Sequence, residues 1–218
     1  MDAASYDHWY ETPRGHWIGQ RETGLLLQHL QARPGESLLD VGCGTGFFTR
    51  TLAASVDGPV HGVDINAEWL KYARQRDTGN THYALADARA LPYPDASFDL
   101  VVSITALCFI EDEMQAMREM LRVARRRVVI GLLNRHSLLW LDKGRNGGSG
   151  AYRGAHWHTV RAAKALLRQQ AVQGVQAYTA IQVPSGGLIA RVVEHIVPAS
   201  FGLGAFILVC GDKATQKE

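Results

Sequence analysis

Leu38-Leu39-Asp40-Val41-Gly42-Cys43-Gly44-Thr45-Gly46-Phe47-Phe48 is the stretch whose reading decides the fold. An apolar run closes on an acidic residue, three glycines follow at alternate positions, and an aromatic pair opens the next segment. Apolar residues in so short a run read as a buried strand. Glycine has no Cβ and adopts positive φ without penalty, so the turn allows backbone to approach a ligand closely. A tight strand-to-helix turn that binds nothing is one reading. A site for an adenosine-containing ligand is the other, and three glycines exceed what turning alone requires.

Outward from this run, strands and helices alternate. Strands are predicted at 37–41, 60–64, 81–86, 98–103 and 127–133. Helices are predicted at 46–54, 67–76 with Asn66 as its cap, and 113–124. Phe98-Asp99-Leu100-Val101-Val102-Ser103 is apolar on both faces, as a central strand must be. Alternation of this kind implies a parallel sheet with right-handed crossovers. Before it, a helix carries Leu25, Leu26, Leu27 and Leu30 and stops ahead of Pro34-Gly35. After Leu133 the pattern lapses into a long segment, 134–158, rich in Gly, Arg and His. A helix at 160–170 and strand-like stretches at 175–183 and 204–211 close the chain. Arg125-Arg126-Arg127 reads as a cationic helix end rather than a nucleic-acid patch.

The 218 residues, 46% apolar, suit one α/β domain over 1–218. Within it, 1–33 forms an N-terminal lid with its helices, and 134–160 is an insertion. A formal charge of +2 gives no electrostatic case for nucleic acid or an anionic membrane. Cys43, Cys108 and Cys210 lie far apart without CxxC spacing, and no metal-ligand cluster is evident. The N-terminal residues lack a signal-peptide pattern, and no apolar run is long enough to span a bilayer. A cytoplasmic protein without stable membrane insertion is expected; the oligomeric state is left open.

Two ligand classes fit the glycine run. A dinucleotide fold wants Gly-x-Gly-x-x-Gly, but Phe47 stands at the third position and Gly46 comes one residue early. Two further acids stand at suggestive places, Asp64 after one predicted strand and Asp87 after the next. With Val63-Asp64-Ile65-Asn66, Ala86-Asp87-Ala88, Leu91-Pro92 and Phe98-Asp99-Leu100-Val101, the glycine run resembles class I S-adenosylmethionine-dependent methyltransferases.

The resemblance implies a Rossmann-like fold with helices on both faces of a seven-stranded, mostly parallel sheet, the last strand antiparallel. It also implies roles. Gly42, Cys43 and Gly44 would lie under the methionine and ribose, with Phe47 and Ser103 beside them. Asp40 would orient the loop and attract the ammonium. Asp64 would accept from both ribose hydroxyls, as a carboxylate does well. Asp87 and the Ala88 N–H would meet the adenine edge, between Ile65 and Trp69.

The segment Tyr6-Asp7-His8-Trp9-Tyr10-Glu11-Thr12-Pro13-Arg14-Gly15 is similar to the start of small-molecule methyltransferases related to ubiquinone and menaquinone biosynthesis enzymes. There it behaves as a lid, so Tyr6 and Trp9 are the candidates to face the cofactor. The predicted reaction is in-line methyl transfer to a small-molecule acceptor, with S-adenosylhomocysteine as product. A donor that is already activated needs alignment more than acid–base chemistry. Acceptor contacts are sought in 134–160, where His136, Tyr152, His156 and His158 are the candidate catalytic groups, joined by Asn134, Arg135, Ser137, Lys143, Arg145, Arg153 and Trp157. Basic and imidazole groups suit an anionic or phenolic acceptor. An NAD(P)-dependent oxidoreductase and a non-catalytic adenosyl-binding module are the rival readings.

Overall fold

The structure is a computed structural model describing residues 2–79 and 81–214. Strand β1 (Leu38–Val41) lies inside a sheet of seven strands. The others are β2 (Val60–Asp64), β3 (His82–Leu85), β4 (Phe98–Ile104), β5 (Ala124–Leu133), β6 (Val172–Ala180) and β7 (Phe206–Lys213), in the order β3-β2-β1-β4-β5-β7-β6. β7 runs antiparallel to both of its neighbours, and the pairs among β1 to β5 are parallel. The predicted sheet, with its single antiparallel strand last in the chain, is present.

Among the described residues the α-helices are α1 (Ala3–Trp9), α2 (Pro13–Leu30), α3 (Phe47–Ala53), α4 (Ala67–Arg76), α5 (Glu113–Val123), α6 (Val160–Arg168) and α7 (Leu188–Ile196). The period-two pattern of the strands divides the core in two. Leu39, Val41, Val101, Val128 and Ile130 pack with α5 and α6, whereas Leu38, Leu100, Val102 and Val129 pack with α2 and α3. Asp40 shares the side of Leu38 and therefore points at α3 rather than into the α5 layer.

Three expectations are corrected. Arg125, Arg126 and Arg127 belong to β5, not to a helix end. Each is neutralised there: Arg125 by Asp99, Arg126 by Glu36, and the buried Arg127 by Asp212. The sixth strand begins and ends three residues earlier than 175–183. Helix α7 was not anticipated, because its pattern is inverted. Ala190 and Glu194 are the residues turned inward, while Leu188, Ile189, Val192 and Ile196 are exposed. The buried Glu194 accepts from the N–H groups of Ile181 and Gln182, which fixes α7 beyond the end of β6.

β1 sits between β2 and β4, so its neighbours are reached by connections leaving in opposite directions. That leaves a crevice at the carboxyl ends of the strands. The carboxyl end of β6 lies on the same edge, since β6 and β5 both oppose β7. The glycine turn, 134–159 and 181–205 therefore share one edge of the sheet. Among the described residues no helix is long and apolar enough to cross a membrane.

Candidate functional site

The turn after β1 is built on left-handed glycines. Gly42 has φ 75° and Gly44 φ 55°. A Cβ at Gly42 would stand 2.2 Å from the Ala106 Cβ, so the turn and the loop after β4 touch only because that atom is missing. Gly42 N and Cys43 N both donate to Val63 O, at 2.7 and 2.9 Å, tying the turn to β2. The same tie brings Asp64 under the loop. Its Oδ2 accepts from Gly44 N and its Oδ1 from Asn66 N, each at 2.8 Å. Asn66, as expected, caps α4 by accepting from Glu68 N and Trp69 N. Asp64 is thus free of capping duty, and its two oxygens retain lone pairs for further donors.

A cavity of about 940 Å³ opens along this turn. Its lining includes Ile65, Trp69, Asp87 and Ala88, and also Ile104, Thr105, Phe109, Gly150 and Arg153. Asp40, Gly42, Cys43, Gly44 and Phe47 line it as well. Asp87 is held by Arg89, whose Nε and Nη2 donate to Oδ1 and Oδ2 at 3.0 and 2.7 Å. Those bonds keep its carboxyl below the usual range.

Asp40 is buried and accepts from Thr49 Oγ1 at 2.7 Å. Burial pushes its carboxyl up to about 7, against the opposing effect of the Thr49 bond. On α2, Glu22 is lifted to about 8, also by burial, and burial likewise raises the hydroxyls of Tyr6, Tyr10 and Tyr152. A carboxyl raised on folding keeps its proton in the native state while the unfolded chain loses it. Stability therefore falls as pH rises from the ordinary carboxyl range toward each raised value, then levels off. Asp40 and Glu22 are expected to withdraw stability between about pH 5 and 8, by up to about 1.4 kcal/mol per unit and group. They act against the half-buried His29 and His61, whose lowered values add stability as pH rises toward 6.5. Denaturant titrations across that range should show a shallower slope for Asp40→Asn; an unaltered slope would mean that Asp40 is ionised in the fold.

The N-terminal segment closes over the cavity, with Tyr6 and Tyr10 in its lining. Tyr10 stacks on Phe47 (centroids 3.7 Å apart, planes at 10°) and Tyr6 leans on Trp69 at 5.0 Å. Trp9, expected to face the cofactor, does not line the cavity. It meets the edge of Tyr10 at 5.0 Å, since α1 turns residues 6 and 10 to one side and 9 to another. Asp7, buried on α1, fastens this lid. It accepts from Thr45 Oγ1 and from Arg50 Nη2, both at 3.0 Å. The Asp7→Ala protein is expected to lose about 2 kcal/mol of lid stability, the value of hydrogen bonds to a charge. Hydrogen exchange at residues 3–9 should then accelerate by more than tenfold, and unchanged protection would remove Asp7 from this role.

Other candidates fall elsewhere. Ser103 is buried within β4, its hydroxyl without a partner among the described residues, one residue short of the cavity wall that Ile104 begins. His136, His156, His158 and Tyr152 do not line the cavity either. His158 is buried, its Nε2 2.8 Å from Glu113 Oε2, which pins the end of the insertion to α5. Tyr152 packs against Trp157 at 5.7 Å. From the insertion the lining takes Gly150, Ala151 and Arg153. Arg153 is exposed and pairs with no carboxylate among the described residues. Tyr10, Asp7 and Thr45 were missed as site residues, although all three stand inside stretches already marked as informative. Cys108 is buried, accepts from Leu133 N at 3.3 Å, and burial pushes its thiol up to about 12, which makes it a packing residue.

Residues 39–130 match the methyltransferase domain family. An O-methyltransferase of Penicillium expansum is 37% identical over 127 residues, which cover 55% of this chain and 46% of that protein. A ubiquinone/menaquinone biosynthesis C-methyltransferase of Vibrio parahaemolyticus is 40% identical over 130 residues, 56% of this chain and 49% of that protein. The chain spans about half the length of these curated relatives. A crystal structure of an S-adenosylmethionine-dependent methyltransferase from Thermotoga maritima superposes with a TM-score of 0.75 at 22% identity. It covers 96% of this chain and 95% of its own. The fold is therefore the class I methyltransferase fold.

Proposed function

We propose that this chain, a class I methyltransferase fold with the methyltransferase domain over residues 39–130, transfers a methyl group from S-adenosylmethionine to a small-molecule acceptor. The observation that carries the reading is the cradle at the carboxyl ends of β1 and β2. Gly42 leaves no room for a Cβ, Gly44 presents its backbone beside Trp69, and Asp64 holds lone pairs toward the cavity. The relatives' methyltransferase names point the same way. When bound, S-adenosylmethionine supplies an electrophilic methyl on a sulfonium.

The chain's own residues bind and orient. Asp64 accepts from vicinal hydroxyls, and Trp69 and Ile65 cover a planar ring. Tyr6 and Tyr10 exclude water under the lid that Asp7 fastens. Alignment in such a chamber supplies up to about 7–11 kcal/mol without a general base. Arg153, a guanidinium that no carboxylate among the described residues neutralises, favours acceptors with an anionic or phenolic group in the cavity it lines.

Calorimetry with S-adenosylhomocysteine and with NAD(P) tests the cofactor. S-adenosylhomocysteine is expected to bind; binding of NAD(P) alone would make the chain an oxidoreductase candidate instead. Transfer from methyl-labelled S-adenosylmethionine to a panel of phenols and carboxylic acids tests the reaction. Binding with no transfer across such a panel would return the chain to a non-catalytic adenosyl-binding module.

A further inference from the structure

Among the described residues, eight of the eleven large apolar side chains left exposed fall between 138 and 203. Six of them follow one another along α7 and the turn after it. Leu188 and Ile189 are 80% and 77% exposed, and Val192, Ile196, Phe201 and Leu203 continue the surface. Helix α7 turns this face away from the core because Ala190 and Glu194 anchor its other side. Asn134 Nδ2 donates to Gly202 O and Gly204 O, which joins the turn after α7 to the segment that leaves β5. The exposed Leu138 and Leu141 lie on that segment. The surface occupies the edge of the sheet onto which the cavity opens.

Charge follows the same boundary. Segments 134–159 and 181–205 hold five Arg and Lys residues against two acids, within a chain whose formal charge is only +2. Of the two acids, Glu194 is buried and bonded to backbone, and Asp142 is 3.5 Å from Lys143. Arg14 adds a further exposed cation, its Cα 3.3 Å from where a Gly186 Cβ would stand, at the entrance to α7. An apolar helix face accompanied by cations, of which Arg14, Arg135 and Arg191 pair with no carboxylate among the described residues, is the arrangement of a helix that lies in a membrane interface. A second copy of the chain fits less well, since a two-fold contact through this surface would set cations against cations.

We propose that α7 and the turn after it form a docking face for an anionic lipid surface. The apolar side chains enter the headgroup boundary while Arg14, Arg135 and Arg191 meet lipid phosphates. The proposal goes beyond the methyl-transfer reading and does not depend on it.

Co-sedimentation with vesicles of phosphatidylcholine, with and without phosphatidylglycerol, tests the face. The expected result is binding to the anionic vesicles, lost as salt rises and weak on the neutral ones. Leu188→Ser with Ile189→Ser should reduce partitioning about tenfold or more. Arg191→Gln should cost roughly fivefold. These side chains are exposed, so the variants keep the native circular dichroism and thermal transition, and calorimetric binding of S-adenosylhomocysteine should be unaltered in both. No sedimentation with anionic vesicles, or sedimentation indifferent to the serine pair, overturns the proposal. A dimer seen by light scattering and abolished by the serine pair would assign the face to a second copy instead. Loss of S-adenosylhomocysteine binding in the unaltered protein would sink the methyl-transfer reading and leave the vesicle result standing.

Discussion

Gly44→Val is expected to remove S-adenosylhomocysteine binding from a protein that still folds. Gly44 holds φ 55°, where any side chain costs about 1–2 kcal/mol and a β-branched one more. Its Cβ would stand 3.2 Å from the Trp69 ring, tighter than ordinary contact, and the added methyls project from that point. The turn must either shift, breaking the Gly44 N–Asp64 Oδ2 bond, or push Trp69 into the cavity. Both outcomes damage the surface that would carry the cofactor, and the two costs together exceed about 2.8 kcal/mol, at least about 100-fold in affinity. Gly44→Ala should lie between, since it has the strain without the branch. Titration calorimetry beside a thermal melt separates binding from folding. A folded Gly44→Val protein with ordinary affinity would refute the assigned loop geometry.

Asp64→Ala should weaken S-adenosylhomocysteine by about 1–3 kcal/mol, or roughly 5- to 150-fold, through loss of a charged acceptor. Asp64 has a second part to play here, because it receives the N–H groups of Gly44 and Asn66. The alanine protein therefore loses a ligand contact together with the bonds that hold the glycine turn over β2. Asp64→Asn separates these effects. One carbonyl oxygen remains to accept from backbone, while the second acceptor and the negative charge are gone. Its affinity is expected between those of the wild type and Asp64→Ala. Equal binding in all three proteins would place the ribose hydroxyls elsewhere.

How much of this was legible in the sequence follows the range of the forces involved. The strands are visible because a buried strand is apolar on its own account: Leu38–Val41 and Phe98–Ile104 announce themselves. The glycine turn is visible because a left-handed backbone selects the residue locally. Asn66 was legible as a cap of the helix that follows it, since capping reaches only three residues. Helix α7 was not legible, because its core-facing residues are an alanine and a glutamate whose partners, Ile181 and Gln182, lie twelve or more positions away. The cationic triplet was misplaced for a similar reason. Its charges are balanced by Glu36, Asp99 and Asp212, none of them near in sequence.

By itself the sequence determined the class of fold, the place of the crevice and six residues that line the cavity there: Asp40, Gly42, Gly44, Asp64, Trp69 and Asp87. Each stands within a few residues of a strand terminus, and strand order carries all of them to one edge. The tertiary structure alone decided which side of the lid faces inward, that Tyr10 takes the place expected of Trp9, and that Asp7 fastens α1 to Thr45 and Arg50. It also left the histidines of the insertion out of the cavity lining, which Arg153 and the loop after β4 join. Those outcomes turn on which side of a short helix or irregular loop meets a distant partner, and no local periodicity records that choice.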